Sequence, residues 1–119
     1  MPYSPQDLYK KILGRNGEKL VEKYLKNQGC KILKRNFSTP FGEADIIVQD
    51  GDETAFVEVK TRTSDKYGAP REAVGPQKRK RYIQIAKFYW KLDGEEPNAR
   101  FDVAEVYEDG KIEYYKNAF

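Results

Sequence analysis

In the stretch Phe56-Val57-Glu58-Val59-Lys60 a carboxylate and an ammonium stand two residues apart inside an otherwise apolar run. Side chains two apart on a strand project from one face, so Glu58 and Lys60 point the same way. One hairpin earlier, Asp45 sits between Ala44 and the aliphatic run Ile46-Ile47-Val48. Charges at such positions are costly in a dry core. Two nearby carboxylates repel, which raises one pKa unless a cation intervenes. Two carboxylates plus a backbone carbonyl, here that of Val59, are oxygen donors of the kind Mg²⁺ accepts, with water completing the shell. A lysine beside them can hold a water or neutralise developing phosphate charge. The same residues also suit an ordinary cross-strand ion pair on a solvated face.

Two other segments bear on that cluster. Glu18 lies at the edge of a helical apolar stripe, with Lys19 and Lys23 expected to point away from it. Gly14 and Gly17 beside it would let a helix approach a sheet closely. The run Gln77-Lys78-Arg79-Lys80-Arg81 opens a second helix at the end where the dipole disfavours cations. By helical angle Lys78 shares the apolar side with Tyr82, Ile85 and Tyr89, and Arg81 borders it. Such a terminus suits phosphate, and equally a solvated basic run.

The elements that must carry these residues follow from turn and cap signals. Ser4-Pro5-Gln6-Asp7 reads as a helix start, and Gly29 as its stop. The apolar face of Leu13, Gly17, Leu20, Val21, Tyr24 and Leu25 omits Leu8 and Ile12. This predicts a break near Gly14 and a main helix over 14–28. Strands are predicted over 30–37, 44–49 and 54–61, the last two joined by the hairpin Asp50-Gly51-Asp52. A loop over 62–74 precedes a helix from Gly75-Pro76 to about Leu92. Strands over 100–107 and 111–115 close an αβββαββ order in one domain, 1–119. The expected sheet is mixed, with strands two and three as its central hairpin. The second helix should cross over to a parallel fourth strand.

The charge of +3 is distributed in blocks. Residues 1–36 and 63–91 are each net positive by six, residues 37–62 net negative by four, and 92–119 net negative by five. There is no histidine, which excludes a Ser-His-Asp triad and His-ligated zinc. One cysteine, Cys30, excludes an internal disulfide and a thiolate cluster. No apolar run is long enough to span a bilayer, and no signal peptide is visible, so the expected setting is cytoplasmic.

Taken together, Gly14-Arg15-x-Gly17-Glu18, Arg35-Asn36-Phe37, Gly42-Glu43-x-Asp45-Ile46-Ile47, Phe56-Val57-Glu58-Val59-Lys60-Thr61-Arg62, Lys78 with Arg81 and Ala86, and Arg100-Phe101-Asp102-Val103 resemble the YraN-like uncharacterised protein family. That family is similar to the PD-(D/E)XK nucleases and, among them, to archaeal Holliday-junction resolvases. The resemblance implies an α/β, restriction-endonuclease-like αβββαβ core, here with an extra C-terminal strand. It implies Asp45, Glu58 and Lys60 as the catalytic triad and Glu18 as the acid completing a Mg²⁺ or Mn²⁺ site with Val59's carbonyl. It implies Lys78 and Arg81 as contacts to DNA, with Arg15, Arg62 and Arg79 completing the nucleic-acid-binding set. Ala44 stands where the superfamily's name has proline. The expected activity is metal-dependent cleavage of DNA, including branched forms such as Holliday junctions. The alternative is a non-catalytic nucleic-acid-binding or adaptor domain of the same fold. Symmetric cutting of a junction also implies a homodimer, with Trp90, Tyr114 and Tyr115 as interface material.

Overall fold

The computed structural model describes residues 5–62, 75–93 and 98–118, with side chains over 16–62, 75–91 and 98–118. The elements are α1 (Pro5–Asn27), β1 (Lys31–Thr39), β2 (Gly42–Asp50), β3 (Glu53–Arg62), α2 (Pro76–Asp93), β4 (Asn98–Tyr107) and β5 (Ile112–Tyr115). The predicted order is the observed one. The Ser4 cap, the side chain of Arg15, and residues 63–74 and 94–97 of the predicted loops lie outside the described residues.

The break expected near Gly14 is absent: α1 is continuous. A glycine costs a helix interior only about 1 kcal/mol relative to alanine, which tertiary packing of one face overrides. The helix stops as its sequence predicts. Gly29 adopts φ 88°. Its N–H donates to the Lys26 carbonyl at 3.0 Å, while the Cys30 N–H donates to that of Leu25 at 3.0 Å. Those two bonds are a Schellman motif, and Leu25 and Cys30 supply its apolar contact.

The five strands lie in chain order β1-β2-β3-β4-β5. β3 and β4 are parallel over ten paired positions, Glu53↔Asn98 to Arg62↔Tyr107, and the other neighbours are antiparallel. A parallel pair needs a long crossover, and α2 lies within it. The two helices cover opposite faces. Val21 and Leu25 of α1 pack on Ile46, Val48, Val57 and Val106. Tyr82, Ile85 and Tyr89 of α2 pack on Ala44, Ile47 and Phe56. In β3 the alternation sends Ala55 and Val57 toward α1 and Phe56 toward α2, so Glu58 and Lys60 continue the α2 phase. Among the described residues no helix is long and apolar enough to cross a membrane.

One end of β4 holds a buried ionic cluster. Arg100, 3% exposed, donates to Asp102 at 3.1 Å and to Glu53 at 2.9 Å, and pairs with Asp50 at 3.0 Å. Asp102, fully buried, also accepts from the Tyr114 hydroxyl at 2.6 Å and the Asn117 N–H at 3.0 Å. Tyr114 further packs on Tyr24, Tyr115 donates to Glu113, and Trp90 packs against the α2 cluster. The Trp90 indole N–H itself is buried without a hydrogen-bond partner among the described residues.

Gly17 lets α1 approach the sheet. A Cβ there would stand 2.8 Å from the Thr61 methyl and 3.7 Å from Val106. Gly17→Ala should therefore lower unfolding free energy by about 1–2 kcal/mol, overpacking outweighing the gain in helix propensity. Thr61→Ser removes the methyl and should recover most of the loss. Urea denaturation of the four proteins of that double-mutant cycle checks this, and an equal loss with and without the Thr61→Ser substitution would overturn it.

Candidate functional site

The β2–β3 pairing ends at Ile46↔Val57. The next positions in register, Asp45 and Glu58, form no backbone pair. Instead the Val59 N–H donates to the Asp45 carboxylate at 2.8 Å, so a side chain completes the ladder where the strands part. N–H and C=O of one strand residue point to the same edge, which turns the Val59 carbonyl toward the same gap.

Burial pushes the Asp45 carboxyl up to about 6. The Val59 N–H opposes that rise, and the negative charges of Glu18, Glu58 and Glu43 add to it. Glu18, from α1, is raised as well, by burial and then by Glu43, against a hydrogen bond from Asn36. Asn36 holds φ 48°, a left-handed conformation that asparagine tolerates better than most residues.

Glu58 approaches from the α2 side. One of its oxygens is ion-paired with Lys78; the other is buried with no hydrogen-bond partner. Lys60 lies close enough to Lys78 that burial, and then that like charge, lower its pKa. Burial raises the Tyr82 hydroxyl, with Glu58 and Asp45 adding to it. Asp45 thus feels Glu18 from one face and Glu58 from the other. Among the described residues no three acids converge into a set that could hold a metal ion as it stands. The Lys78–Glu58 pair is one physical reason, since it occupies a carboxylate oxygen.

The remaining predicted residues divide. Lys78 lies beside the acids, as its place on the apolar side of α2 implied. Arg81 lays its stem across the β1–β2 turn: at Gly42, where φ is 137°, a Cβ would stand 2.8 Å from the Arg81 Cδ. Arg79 is exposed. Arg62 is committed elsewhere, paired at 2.9 Å with Glu105, which is 1% exposed and also accepts from Tyr107. Asn36, Glu43 and Tyr82 were not singled out as site residues. Asn36 and Glu43 fall within motifs Arg35-Asn36-Phe37 and Gly42-Glu43, a signal that was present. Lys19 and Lys23, expected to point away from Glu18, line the same cavity as Glu18 and Asp45.

The sequence profile of the uncharacterised protein family UPF0102 matches residues 17–106. The chain belongs to this family. The UPF0102 protein of Thermodesulfovibrio yellowstonii is 46% identical over 107 residues, covering 90% of this chain and 95% of the relative. That of Syntrophus aciditrophicus is 48% identical over 112 residues, covering 89% and 87%. Among solved structures, SSO0001 matches with 20% identity and TM-score 0.43, over 96% of this chain and 52% of that one. Pyrococcus furiosus SfsA in complex with Ca²⁺ matches with 18% identity and TM-score 0.37, over 90% and 63%. The chain thus spans about half and under two-thirds of these two solved chains. The part matched by the UPF0102 profile holds Glu18, Asp45, Glu58, Lys60 and Lys78, and leaves out Arg15 and β5.

The raised Asp45 carboxyl has a consequence for stability. Its folded value of about 6 lies above the ordinary carboxylate value of ~3.9. The folded state therefore holds this proton more tightly than the unfolded chain. The resulting destabilisation is absent below about pH 4 and complete above about pH 6. Asp45→Asn keeps an acceptor for the Val59 N–H and removes the charge. In EDTA at pH 8 it should raise unfolding free energy by about 1–3 kcal/mol, falling toward zero at pH 4. Denaturation across that range checks it, and a pH-independent difference would overturn it.

Proposed function

We propose that this UPF0102 member is a divalent-metal-dependent nuclease that hydrolyses DNA phosphodiester bonds, with branched DNA among its substrates. The observation that carries the reading is the buried Glu58 oxygen with no hydrogen-bond partner, next to an Asp45 carboxyl pushed up to about 6. Native buried polar atoms are nearly always satisfied. The Trp90 N–H, also unpartnered, lies against the apolar α2 cluster, whereas the Glu58 oxygen is a carboxylate beside another acid, where a cation would serve both. The nearby donors are all oxygen, which suits Mg²⁺ or Mn²⁺ rather than softer metals.

Asp45, Glu58, Glu18 and the Val59 carbonyl are the groups that would hold the ion, once Lys78 releases Glu58 and the acids draw together around it. When bound, such an ion polarises a phosphoryl oxygen and lowers the pKa of a coordinated water. The chain's own part is electrostatic. Lys60 shares the Glu58 face and supplies positive charge where a phosphorane oxygen would gain negative charge. Lys78, half-buried at the first turn of α2, can exchange its bond to Glu58 for a backbone phosphate. A two-fold homodimer belongs to the same proposal, because cutting two strands symmetrically requires two sites.

One observation favours a second reading, a nucleic-acid-binding or adaptor domain without turnover. The Lys78–Glu58 pair already neutralises one acid internally. The test is a cleavage screen in Mg²⁺ and Mn²⁺ over single-stranded, duplex, flap and four-way DNA. Cleavage reduced roughly 100-fold or more by Glu58→Ala is the expected result. Binding without cleavage of any form by the parent protein would overturn the nuclease reading in favour of the second.

A further inference from the structure

Between α1 and the β1–β2 side of the sheet lies a cavity of about 610 Å³ lined by three acids, Glu18, Glu22 and Asp45, and four cations, Lys19, Lys23, Lys26 and Arg35. At one end Glu18 and Asn36 are hydrogen-bonded beside Asp45. One helical turn further, Glu22 accepts from the Arg35 guanidinium, Nε to Oε2 at 2.9 Å, which fixes that cation against the wall. Beyond it Lys26 pairs with the same acid at 3.4 Å. Lys19 and Lys23 run alongside, exposed and with no ion pair to any described residue. Cations one turn apart on a helix repel. With Glu22 already taken by Arg35 and Lys26, Lys19 and Lys23 are the cations of this lining left open to an external anion.

We infer that this groove seats a single polynucleotide strand by its sugar–phosphate backbone, leading away from the Glu18–Asp45 end, with Lys19 and Lys23 as its free phosphate contacts. The occupant follows from the lining. Among the described residues the groove contains no aromatic ring, so bases have no stacking platform and recognition falls on the backbone. Its volume lies in the range of small-ligand pockets, about 300–1,000 Å³, which holds a segment of one strand and not a duplex. What lies at the groove's acidic end rests on the nuclease reading; the binding itself does not.

The test is fluorescence anisotropy with a labelled oligothymidylate in EDTA, where metal-dependent cleavage cannot occur, across a salt series. Lys19→Ala/Lys23→Ala should raise Kd about tenfold at low salt. It should also flatten the slope of log K against log salt by about 1.4, two contacts at ~0.7 each for single strands. Lys87→Ala/Lys91→Ala removes the same charge from exposed positions on α2 and should change neither quantity. Equal losses in both pairs would overturn the proposal, as would unchanged binding in the first. A larger loss for duplex than for single strand would overturn the choice of occupant. No binding of DNA or RNA by the parent would overturn this inference and the nuclease reading together. Intact cleavage with unchanged Lys19/Lys23 binding would overturn this inference alone.

Discussion

The hydrogen bond from the Val59 N–H to the Asp45 carboxylate is the contact around which the site is arranged. Where β2 leaves β3 a strand donor would lose its partner, and an unpaired buried N–H is costly. A carboxylate restores the bond, but only by entering a buried position between two other acids. The N–H favours the ionised form; burial and the charges of Glu18 and Glu58 disfavour it, and they prevail. Gly17 lets α1 bring Glu18 close, and α2 brings Lys78 to Glu58, so both helices are set by the same gap.

The other end of the sheet shows the same chemistry in balance. Arg100 meets Asp102, Asp50 and Glu53, and Asp102 takes two further donors from Tyr114 and Asn117. That coordination holds the Arg100 guanidinium well above its ordinary value despite burial. Every charge there has a partner, which is what a structural cluster requires. At the Asp45 end one Glu58 oxygen has none. The contrast, inside one sheet, is between charges that are fully paired and a carboxylate oxygen that is not.

Much of this was legible in the residues. Period-two alternation placed Glu58 and Lys60 on the α2 phase of β3 because Phe56 anchors that phase, and the crossover α2 made β3 and β4 parallel. What alternation could not reach was β2. Ala44 and Ile47 both pack on the α2 side, three residues apart, which a regular strand forbids. Between them Asp45 reaches the strand gap, where it accepts the Val59 N–H, and also lines the α1-side cavity. A register shift between Ile32 and Lys34 and the left-handed Asn36 bend the neighbouring strand. Of these, only the left-handed turn at Asn36 has a residue signature, asparagine; the register shift has none. The helical wheel misplaced Lys19 and Lys23 for a simpler reason. It assigns one direction per residue, whereas a groove beside a helix is lined by two adjacent columns of side chains.

The alternating charge blocks acquire a spatial meaning from this topology. The acidic block over residues 37–62 folds into β2 and β3, the middle of the sheet, while the basic blocks contribute α1 and α2 on its two faces. A polyanion meeting the acidic end alone would be repelled. On the proposed reading, Lys19 and Lys23 on one face and Lys78 on the other flank that end with compensating charge. The modest net charge of +3 conceals this, because Asp50, Glu53 and Asp102, gathered around Arg100, count against the total while lying apart from the Asp45 end. A sum over the chain hides that layering; on the proposed reading it is the layering, not the total, that a phosphate backbone would meet.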